Sequence, residues 1–127
     1  MKIVIWATKK EADFDNIPEK QGVYVIACSC KNGQNIVVYV GQSNDLRRRA
    51  KEHWSDEEKN EDLKNAIKKY KTCFMYSYAT LDSSEDLDGC EKYLFDYYKP
   101  QFTDRTPDAD PIEMVLIDSV SKGKVNF

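Results

Sequence analysis

The fold of this chain is decided by residues 22–41, which read GVYVIACSCKNGQNIVVYVG. Two runs rich in valine, isoleucine and tyrosine, residues 22–30 and 35–41, flank a short polar segment that contains Asn32-Gly33. Asn-Gly between two such runs is the strongest short-range signal for a β-hairpin. A two-residue loop at Asn32-Gly33 would pair Lys31 with Gln34, Ile26 with Tyr39, and Tyr24 with Gly41.

This register places two tyrosines on one face of the hairpin. Directly opposed residues share a face, and so do residues two apart along a strand, so Tyr24 and Tyr39 become diagonal neighbours roughly 7–8 Å apart. Gly41 has no side chain and leaves open space beside Tyr24. Tyrosines are common in sheets, and the pair taken alone is better explained by ordinary packing than by a site.

Strand and helix signals alternate through the rest of the chain. We expect a single α+β domain over residues 1–127, with a small, mostly antiparallel three-stranded central sheet and flanking helices. The expected elements are strands at 2–7 and 73–80, an edge strand at 114–117, and helices from a cap at Ser43 or Asn44 to Trp54, over 57–70, and over 85–98.

The composition is that of a soluble globular protein. The 127 residues are 41% apolar and 32% charged, enough for one domain with its own core. No apolar run is long enough for a membrane span or a signal peptide, so a cytoplasmic protein without a membrane partner is expected. The four cysteines, among them Cys28 and Cys30 on one strand, lack the spacing of a zinc site and are interpreted as reduced thiols. The net charge of −3 disfavours a surface covered in DNA-binding charge but allows a local basic patch.

The predicted helix after Gly41 is basic and carries the only histidine of the chain. Arg49 and His53 are four residues apart and share a helical face that borders the core. Arg49 would therefore be partly buried and directed, and a directed guanidinium suits bidentate phosphate binding. A solvated basic helix with a satisfied histidine explains the pattern equally well.

A carboxylate interrupts the apolar stripe of the last predicted helix. Leu87, Leu94 and Tyr98 mark that stripe, and Glu91 lies within it. A carboxylate on a buried face is costly unless it is paired or binds a metal. An ion pair with an arginine such as Arg49 and ligation of a metal ion both remain open at this point.

Five segments of the chain together resemble the GIY-YIG nucleases. Gly22-Val23-Tyr24 and Tyr39-Val40-Gly41 look like the two signature tripeptides. The other three segments are residues 42–49, which resemble the stretch after the second tripeptide, residues 63–70, which resemble the middle helix, and residues 91–100, which resemble the metal-binding helix with its Lys-Pro ending. The likeness covers about residues 17–103 and leaves residues 104–127 as a C-terminal extension.

Three departures from the family pattern accompany the resemblance. Fourteen residues separate the two tripeptides, which is a longer gap than the family usually has. Thr103 stands where many members have asparagine, and Gln42 replaces the lysine of the excision-repair branch. None of these departures removes a core catalytic group.

The resemblance implies a metal-dependent DNA endonuclease that hydrolyses phosphodiester bonds. It implies Glu91 as the ligand of a divalent metal, Mg²⁺ or else Mn²⁺, and Arg49 as the group that stabilises charge on the phosphate. Tyr24 would take a proton from the attacking water, Tyr39 would position the water or the phosphate, and His53 would relay a proton. The side chains expected to bind DNA are Gln42, Ser43, Arg47, Arg48, Lys51 and Lys99.

Other readings of the same residues stay open. The chain would alternatively be a catalytically inactive GIY-YIG-like domain that binds nucleic acid or protein, or a structural domain in which Arg49 and Glu91 pair. Roles in DNA repair, restriction or mobile elements are equally compatible with the sequence. A protein partner or a homodimer would supply specificity, because few residues follow Thr103.

Overall fold

The computed structural model of the chain describes residues 1–29 and 32–127. Within these residues, no helix is both long enough and apolar enough to cross a bilayer. Short 3-10 helical turns at Glu11–Asn16, Lys71–Cys73 and Ser84–Asp86 connect the main elements. The strands are β1 (Ala7–Lys9), β2 (Gly22–Ser29), β3 (Asn35–Ser43) and β4 (Phe74–Thr80), and the helices are α1 (Leu46–His53), α2 (Glu61–Lys69) and α3 (Leu87–Tyr98).

The four strands form one antiparallel sheet in the order β1-β4-β2-β3. The α+β class with an antiparallel sheet and flanking helices is thus confirmed, with four strands in place of three. The first strand lies at Ala7–Lys9, where it pairs with β4, rather than at residues 2–7. The expected edge strand at 114–117 was wrong, since Met114 makes only an isolated bridge to Lys2.

The hairpin of β2 and β3 contains a β-bulge that the sequence did not reveal. Tyr24 pairs with Gly41 and Ile26 with Tyr39, as predicted, but Ala27 pairs with Val37. Val38 is therefore the extra residue of the bulge, and it joins Tyr39 in the same core cluster. Nearer the tip the register differs by one residue from the prediction, with Ser29 opposite Asn35. The predicted pair of Lys31 with Gln34 and the face of Cys30 lie outside the described residues.

The sheet separates two apolar cores. On one face, Tyr24, Tyr39 and Tyr76 pack against α1 and α2 through residues such as Leu46 and Leu63. On the other face, the alternate residues of β2, β3 and β4 pack against α3, which contributes Leu87, Cys90, Leu94 and Tyr98. The period-2 alternation of the strands thus assigns the phenols to the face of α1 and assigns α3 to the opposite face.

The outer strand β3 has a partly covered edge. The backbone N–H of Phe102 donates to the carbonyl oxygen of Val38 at 2.9 Å, and the N–H of Val37 donates to the carbonyl oxygen of Ser121 at 3.0 Å. Segments that follow α3 therefore occupy the edge near the bulge and toward the hairpin tip. The end of β3 around residues 39–42 is where the sheet edge opens into a pocket.

All three helices start later than predicted, α3 at Leu87 instead of residue 85. The side chain of Asp45, rather than Ser43 or Asn44, caps α1 by accepting a hydrogen bond from the backbone N–H of Arg48. The second helix begins at Glu61, capped by Asn60, and not near residue 57. The residues in between form a loop, and that loop brings Glu58 into the core of the site.

Candidate active site

A pocket of about 190 Å³ lies at the open edge of β3 and is lined from both faces of the sheet. Tyr39 and Arg49 reach it from the face of α1, whereas Gln42 and Glu91 reach it from the face of α3. The segment after α3 completes the wall. Four of the five predicted catalytic residues, Tyr24, Tyr39, Arg49 and Glu91, line this pocket, together with Gly41, Gln42, Thr103, Asp104 and Arg105.

Gly41 is required at this position because the phenol of Tyr24 occupies the space of a side chain. A Cβ atom added at Gly41 would lie 2.4 Å from Oη and 2.5 Å from Cζ of Tyr24. The missing side chain also lets the pocket extend around the strand edge, from the phenols on one face toward Glu91 on the other. The second tripeptide therefore ends in glycine for a steric reason.

The rings of the two signature tyrosines lie close to each other and are deeply buried. The ring centroids are 6.2 Å apart, and the ring planes are nearly parallel, at an angle of 19°. Burial raises the pKa of Tyr24 well above its usual range, and the Arg49 guanidinium opposes this only in part. Burial also raises the pKa of Tyr39, together with its hydrogen bond to Asp104. Both phenols are therefore protonated at neutral pH, and neither is a ready-made base.

His53, the fifth predicted catalytic residue, lies behind Tyr24 rather than on the pocket wall. The hydroxyl of Tyr24 and Nε2 of His53 are 2.7 Å apart. On the other side of the ring, Nδ1 contacts the Oε2 atom of Glu58. Within residues 1–29 and 32–127, neither Nδ1 nor Oε2 has another hydrogen-bond partner. Tyr24, His53 and Glu58 thus form a continuous polar chain that leads from the pocket into the core.

The charge states of His53 and Glu58 follow from their burial and from the contact between them. Burial lowers the pKa of His53, and the contact with Glu58 opposes that effect only in part, so the imidazole is neutral at pH 7. Burial alone would raise the pKa of Glu58, but the contact with His53 and the backbone N–H of Asn60 outweigh it and lower the pKa. Glu58 is therefore a carboxylate, and its Oε2 atom faces Nδ1 of a neutral imidazole, which has one donor and one acceptor nitrogen.

The hydroxyl of Tyr39 binds a different acceptor. It donates to Oδ2 of Asp104 at 2.7 Å, and the side-chain amide of Asn60 donates to Oδ1 of Asp104 at 3.0 Å. Each signature phenol thus has its own hydrogen-bond partner, His53 for Tyr24 and Asp104 for Tyr39. Asp104 also adds a second carboxylate to the pocket wall.

Arg49 brings positive charge between the two phenols and the pocket. Its side chain is 27% exposed and lies 3.5 Å from the carboxylate of Glu52, one turn along α1. Its positive charge favours the ionised form of both Tyr24 and Tyr39 and so opposes the rise in their pKa that burial causes. The guanidinium is therefore partly buried and directed at the pocket, and it keeps enough exposure to meet a phosphate.

Glu91 is held by an amide and not by an arginine. Its Oε1 accepts a hydrogen bond from Nε2 of Gln42 at 3.0 Å, and Gln42 also donates to Asp88 at 2.6 Å. In the described part of the chain Glu91 forms no ion pair, so the ion pair with Arg49 considered from the sequence was wrong. Burial is the main reason that the pKa of Glu91 is raised. A buried carboxylate that forms no ion pair is chemically suited to a divalent metal.

The described residues offer few side-chain ligands for such a metal. Among the described residues, no group of three or more histidine, cysteine, aspartate or glutamate side chains is arranged to hold a metal ion. Mg²⁺ commonly binds proteins through one or two carboxylates and fills its other positions with water and substrate phosphate. Glu91 fits that pattern, since it lines a pocket that a phosphate can enter.

The side chains expected to bind DNA differ in their surroundings. Gln42 lines the pocket and donates to Glu91, and Lys99 is exposed. Arg48 is exposed too, donates to Oδ1 of Asn44 at 2.8 Å and lies 3.9 Å from the carboxylate of Glu52. The other three also have partners within the protein. Arg47 donates to the carbonyl of Ile17 and to Glu19, Lys51 contacts Asp15, and the Ser43 hydroxyl binds the backbone of Asp45 at the start of α1.

Sequence reasoning missed two residues of the site, Glu58 and Asp104. Glu58 stands in a run of charged residues, Asp56-Glu57-Glu58-Lys59, which has no periodicity to single out one member. Asp104 follows Thr103, the position that departs from the family pattern, and only the hydrogen bond to Tyr39 reveals it. The one available signal was the solitary histidine, since a buried imidazole needs a partner for each ring nitrogen.

Comparison with known proteins agrees with the geometry. Residues 20–105 match the family model of the GIY-YIG catalytic domain. The matched range includes all the residues that line the pocket, together with His53 and Glu58. No curated protein and no solved structure matches the chain at a significant level.

Proposed function

Because the chain belongs to the GIY-YIG family, we propose that it is a metal-dependent endonuclease that hydrolyses phosphodiester bonds in DNA. The observation that carries the proposal is the pocket at the edge of β3. It gathers two phenols, a guanidinium and a buried carboxylate from opposite faces of one sheet. This is the set of groups that phosphodiester hydrolysis requires: a route for the proton, a cation for the phosphate, and a ligand for a metal.

Glu91 would hold the divalent metal, for which Mg²⁺ is the first candidate and Mn²⁺ the second. When bound, the metal supplies Lewis-acid polarisation of the phosphate and stabilises the leaving oxygen. Gln42 would fix the orientation of the Glu91 carboxylate, because its amide donates to Oε1. The residue that replaces the lysine of the excision-repair branch would thus serve as a support for the metal ligand.

Tyr24 and His53 would remove the proton of the attacking water together. Tyr24 is a neutral phenol with a raised pKa, so it is a poor base alone. Its hydroxyl lies 2.7 Å from Nε2 of His53, which is neutral and able to accept a proton. As water gives a proton to the phenolic oxygen, the phenolic proton would pass to Nε2. His53 is then the general base, and Tyr24 is the group that connects it to the water.

Arg49 and Tyr39 would act on the phosphate. The guanidinium would bind the non-bridging oxygens, on which charge increases during the reaction. The hydroxyl of Tyr39 is held by Asp104 and would orient either the water or the phosphate. Arg48 and Lys99 would contact the DNA backbone outside the pocket, and a protein partner or second copy would supply sequence or structure specificity.

The test is nicking of supercoiled plasmid by the purified protein with Mg²⁺, with Mn²⁺, and with EDTA. We expect metal-dependent nicking that Glu91→Gln lowers by about 100-fold or more, since metal assistance is worth several kcal/mol. Plasmid binding without product, in either metal, would instead favour the inactive nucleic-acid-binding alternative.

A matched pair of tyrosines tests the proton route. We expect Tyr24→Phe to lower the nicking rate by about 10²–10⁴-fold, the range typical of general base catalysis. Tyr78→Phe is the control, because Tyr78 pairs with Tyr24 on the neighbouring strand and its hydroxyl makes no hydrogen bond in the described part of the chain. Equal activities of the two variants would contradict the assignment of Tyr24.

A further inference from the structure

Two carboxylates are buried in the part of the chain that the structure describes, and both belong to this site. Glu91 is 8% exposed, and Glu58 is 3% exposed. Glu91 lines the pocket, and its proposed role as a metal ligand explains its burial. The second lies in the loop between α1 and α2 and does not line the 190 Å³ pocket. A buried carboxylate is costly without a specific partner, so Glu58 calls for an explanation of its own.

The loop is built to direct Glu58 inward. The backbone N–H of Glu57 donates to the hydroxyl of Ser55, and the N–H of Glu58 donates to the carbonyl of the same serine. Asp56 and Glu57 are exposed as a result, whereas Glu58 faces the core. Its Oε1 accepts from the backbone N–H of Asn60 at 3.0 Å, which leaves Oε2 for the imidazole.

We propose that Glu58 is a positioning residue that acts through His53: its carboxylate holds Nδ1–H, so that Nε2 stays unprotonated and ready to accept the proton of Tyr24. A neutral imidazole has one donor and one acceptor nitrogen, and the group bound at one nitrogen decides the state of the other. With Nε2 protonated instead, Nδ1 of the neutral ring would be an acceptor that faces the Glu58 carboxylate, which also only accepts. The inference rests on the proposed nuclease function for its catalytic consequence but not for the state of the ring.

The proton balance shows when Glu58 matters most. One O–H bond of water breaks as its proton goes to Tyr24, the Tyr24 proton goes to Nε2, and the water oxygen forms a bond to phosphorus. The bond from phosphorus to the leaving oxygen breaks, and that oxygen takes a proton from solvent. His53 is then an imidazolium, which returns its proton to solvent through Tyr24 when product leaves. Glu58 is the negative charge in contact with that imidazolium.

No other group that faces His53 can substitute for Glu58. From β2 and β3 the ring meets the phenols of Tyr24 and Tyr39, whose centroids lie 5.4 Å and 4.9 Å from the ring of His53. The positive charge of Arg49, on α1, opposes protonation of His53. The negative charge of Asp104, in the segment after α3, favours protonation of His53 but acts from a greater distance, because Asp104 is bound to Tyr39. Among these groups only Glu58 contacts a ring nitrogen with a negative charge.

The single histidine makes the inference directly measurable by NMR. One imidazole spin system is expected from the full chain, so its ¹⁵N shifts report the tautomer and the pKa of His53 without assignment. The wild-type protein should show the Nδ1–H tautomer. Glu58→Gln keeps an acceptor for Nδ1–H but removes the charge, so the tautomer should persist while the pKa of His53 falls. Glu58→Met removes the acceptor as well, so the Nε2–H tautomer should become populated.

Activity adds a second readout with a matched control. We expect Glu58→Gln to lower kcat by about 100-fold with little change in KM, within the range of general base catalysis. The acidic limb of the pH–rate profile should move to lower pH, because the pKa of His53 falls. The exposed neighbour Glu57→Gln should leave kcat, the profile and the imidazole shifts unchanged.

The outcomes separate this inference from the proposed function. Wild-type shifts that show Nε2–H, or a Glu58→Met ring with unchanged tautomer and pKa, would overturn the role of Glu58 even in an active nuclease. An inactive wild-type protein with the expected shifts in all three variants would overturn the nuclease proposal, and would reduce Glu58 to a residue that fixes the ring.

Discussion

Replacing Gly41 with alanine should displace the phenol of Tyr24 and uncouple it from His53. The backbone at Gly41 has no positive φ, so the substitution tests space and not conformation. The new Cβ would lie 2.4 Å from Oη of Tyr24, whereas nonbonded carbon contacts are most favourable near about 3.5–4.0 Å. The distal end of the ring must therefore retreat by about 1 Å. That end carries the hydrogen bond to His53.

Two costs of known size combine in this variant. Overpacking of a rigid core costs about 1–3 kcal/mol. A buried His53 that loses its partner at Nε2 costs about 1–3 kcal/mol more. We therefore expect Gly41→Ala to lower the free energy of unfolding by about 2–6 kcal/mol, a large part of the roughly 5–15 kcal/mol of an ordinary domain.

Urea unfolding followed by circular dichroism measures this cost, and a second background shows whether it arises from Tyr24. In Tyr24→Leu the side chain ends short of the overlapping atoms. Gly41→Ala should then be neutral, or stabilising by about 0.4–1 kcal/mol, because alanine restricts the unfolded chain. Equal losses in the two backgrounds would refute the reasoning, since the clash would then involve some other group.

Three further predictions concern charge at the site. Burial lowers the pKa of His53 from its usual 6.5, so the folded state disfavours the imidazolium. The free energy of unfolding should therefore fall as the pH drops below about 6.5. Urea titrations from pH 8 to 5 should show this slope, and His53→Gln should abolish it. Because burial raises the pKa of Glu91, its charge is a cost at neutral pH, so Glu91→Gln should raise the Tm even as it abolishes nicking; a lower Tm would contradict this. Asp104→Asn should remove a negative charge from the phosphate pocket while keeping an acceptor for Tyr39, and should therefore lower KM for DNA several-fold at low salt, with the difference lost at high salt.

The sequence predicted the parts of the site that depend on periodicity. The pairing of Tyr24 with Gly41 followed from a turn signal and the two-residue repeat of a strand, and the burial of Arg49 and Glu91 followed from helical spacing. It did not predict how Glu91 would approach the phenols from the opposite face of the sheet. That arrangement depends on β3 being the outer strand, which is a property of sheet order and not of local sequence.

Loop residues were beyond the reach of such patterns. Glu58 and its neighbour Glu57 are chemically identical, and only the turn at Ser55 decides which of them turns inward. The contacts of the basic helix were out of reach for a similar reason. Arg47 and Lys51 contact Glu19 and Asp15 in the segment before β2, and no feature of the helix itself indicates those long-range partners.

The bulge at Val38 gives the hairpin two independent halves. A one-residue slip in a regular ladder would turn Tyr39 to the wrong face and empty the pocket of one phenol. Here the additional residue absorbs such a slip between the distal turn and the catalytic end. A deletion of Val38 would make Val37 and Tyr39 consecutive residues opposite Ala27 and Ile26, so the ladder would become regular while Tyr39 kept its face.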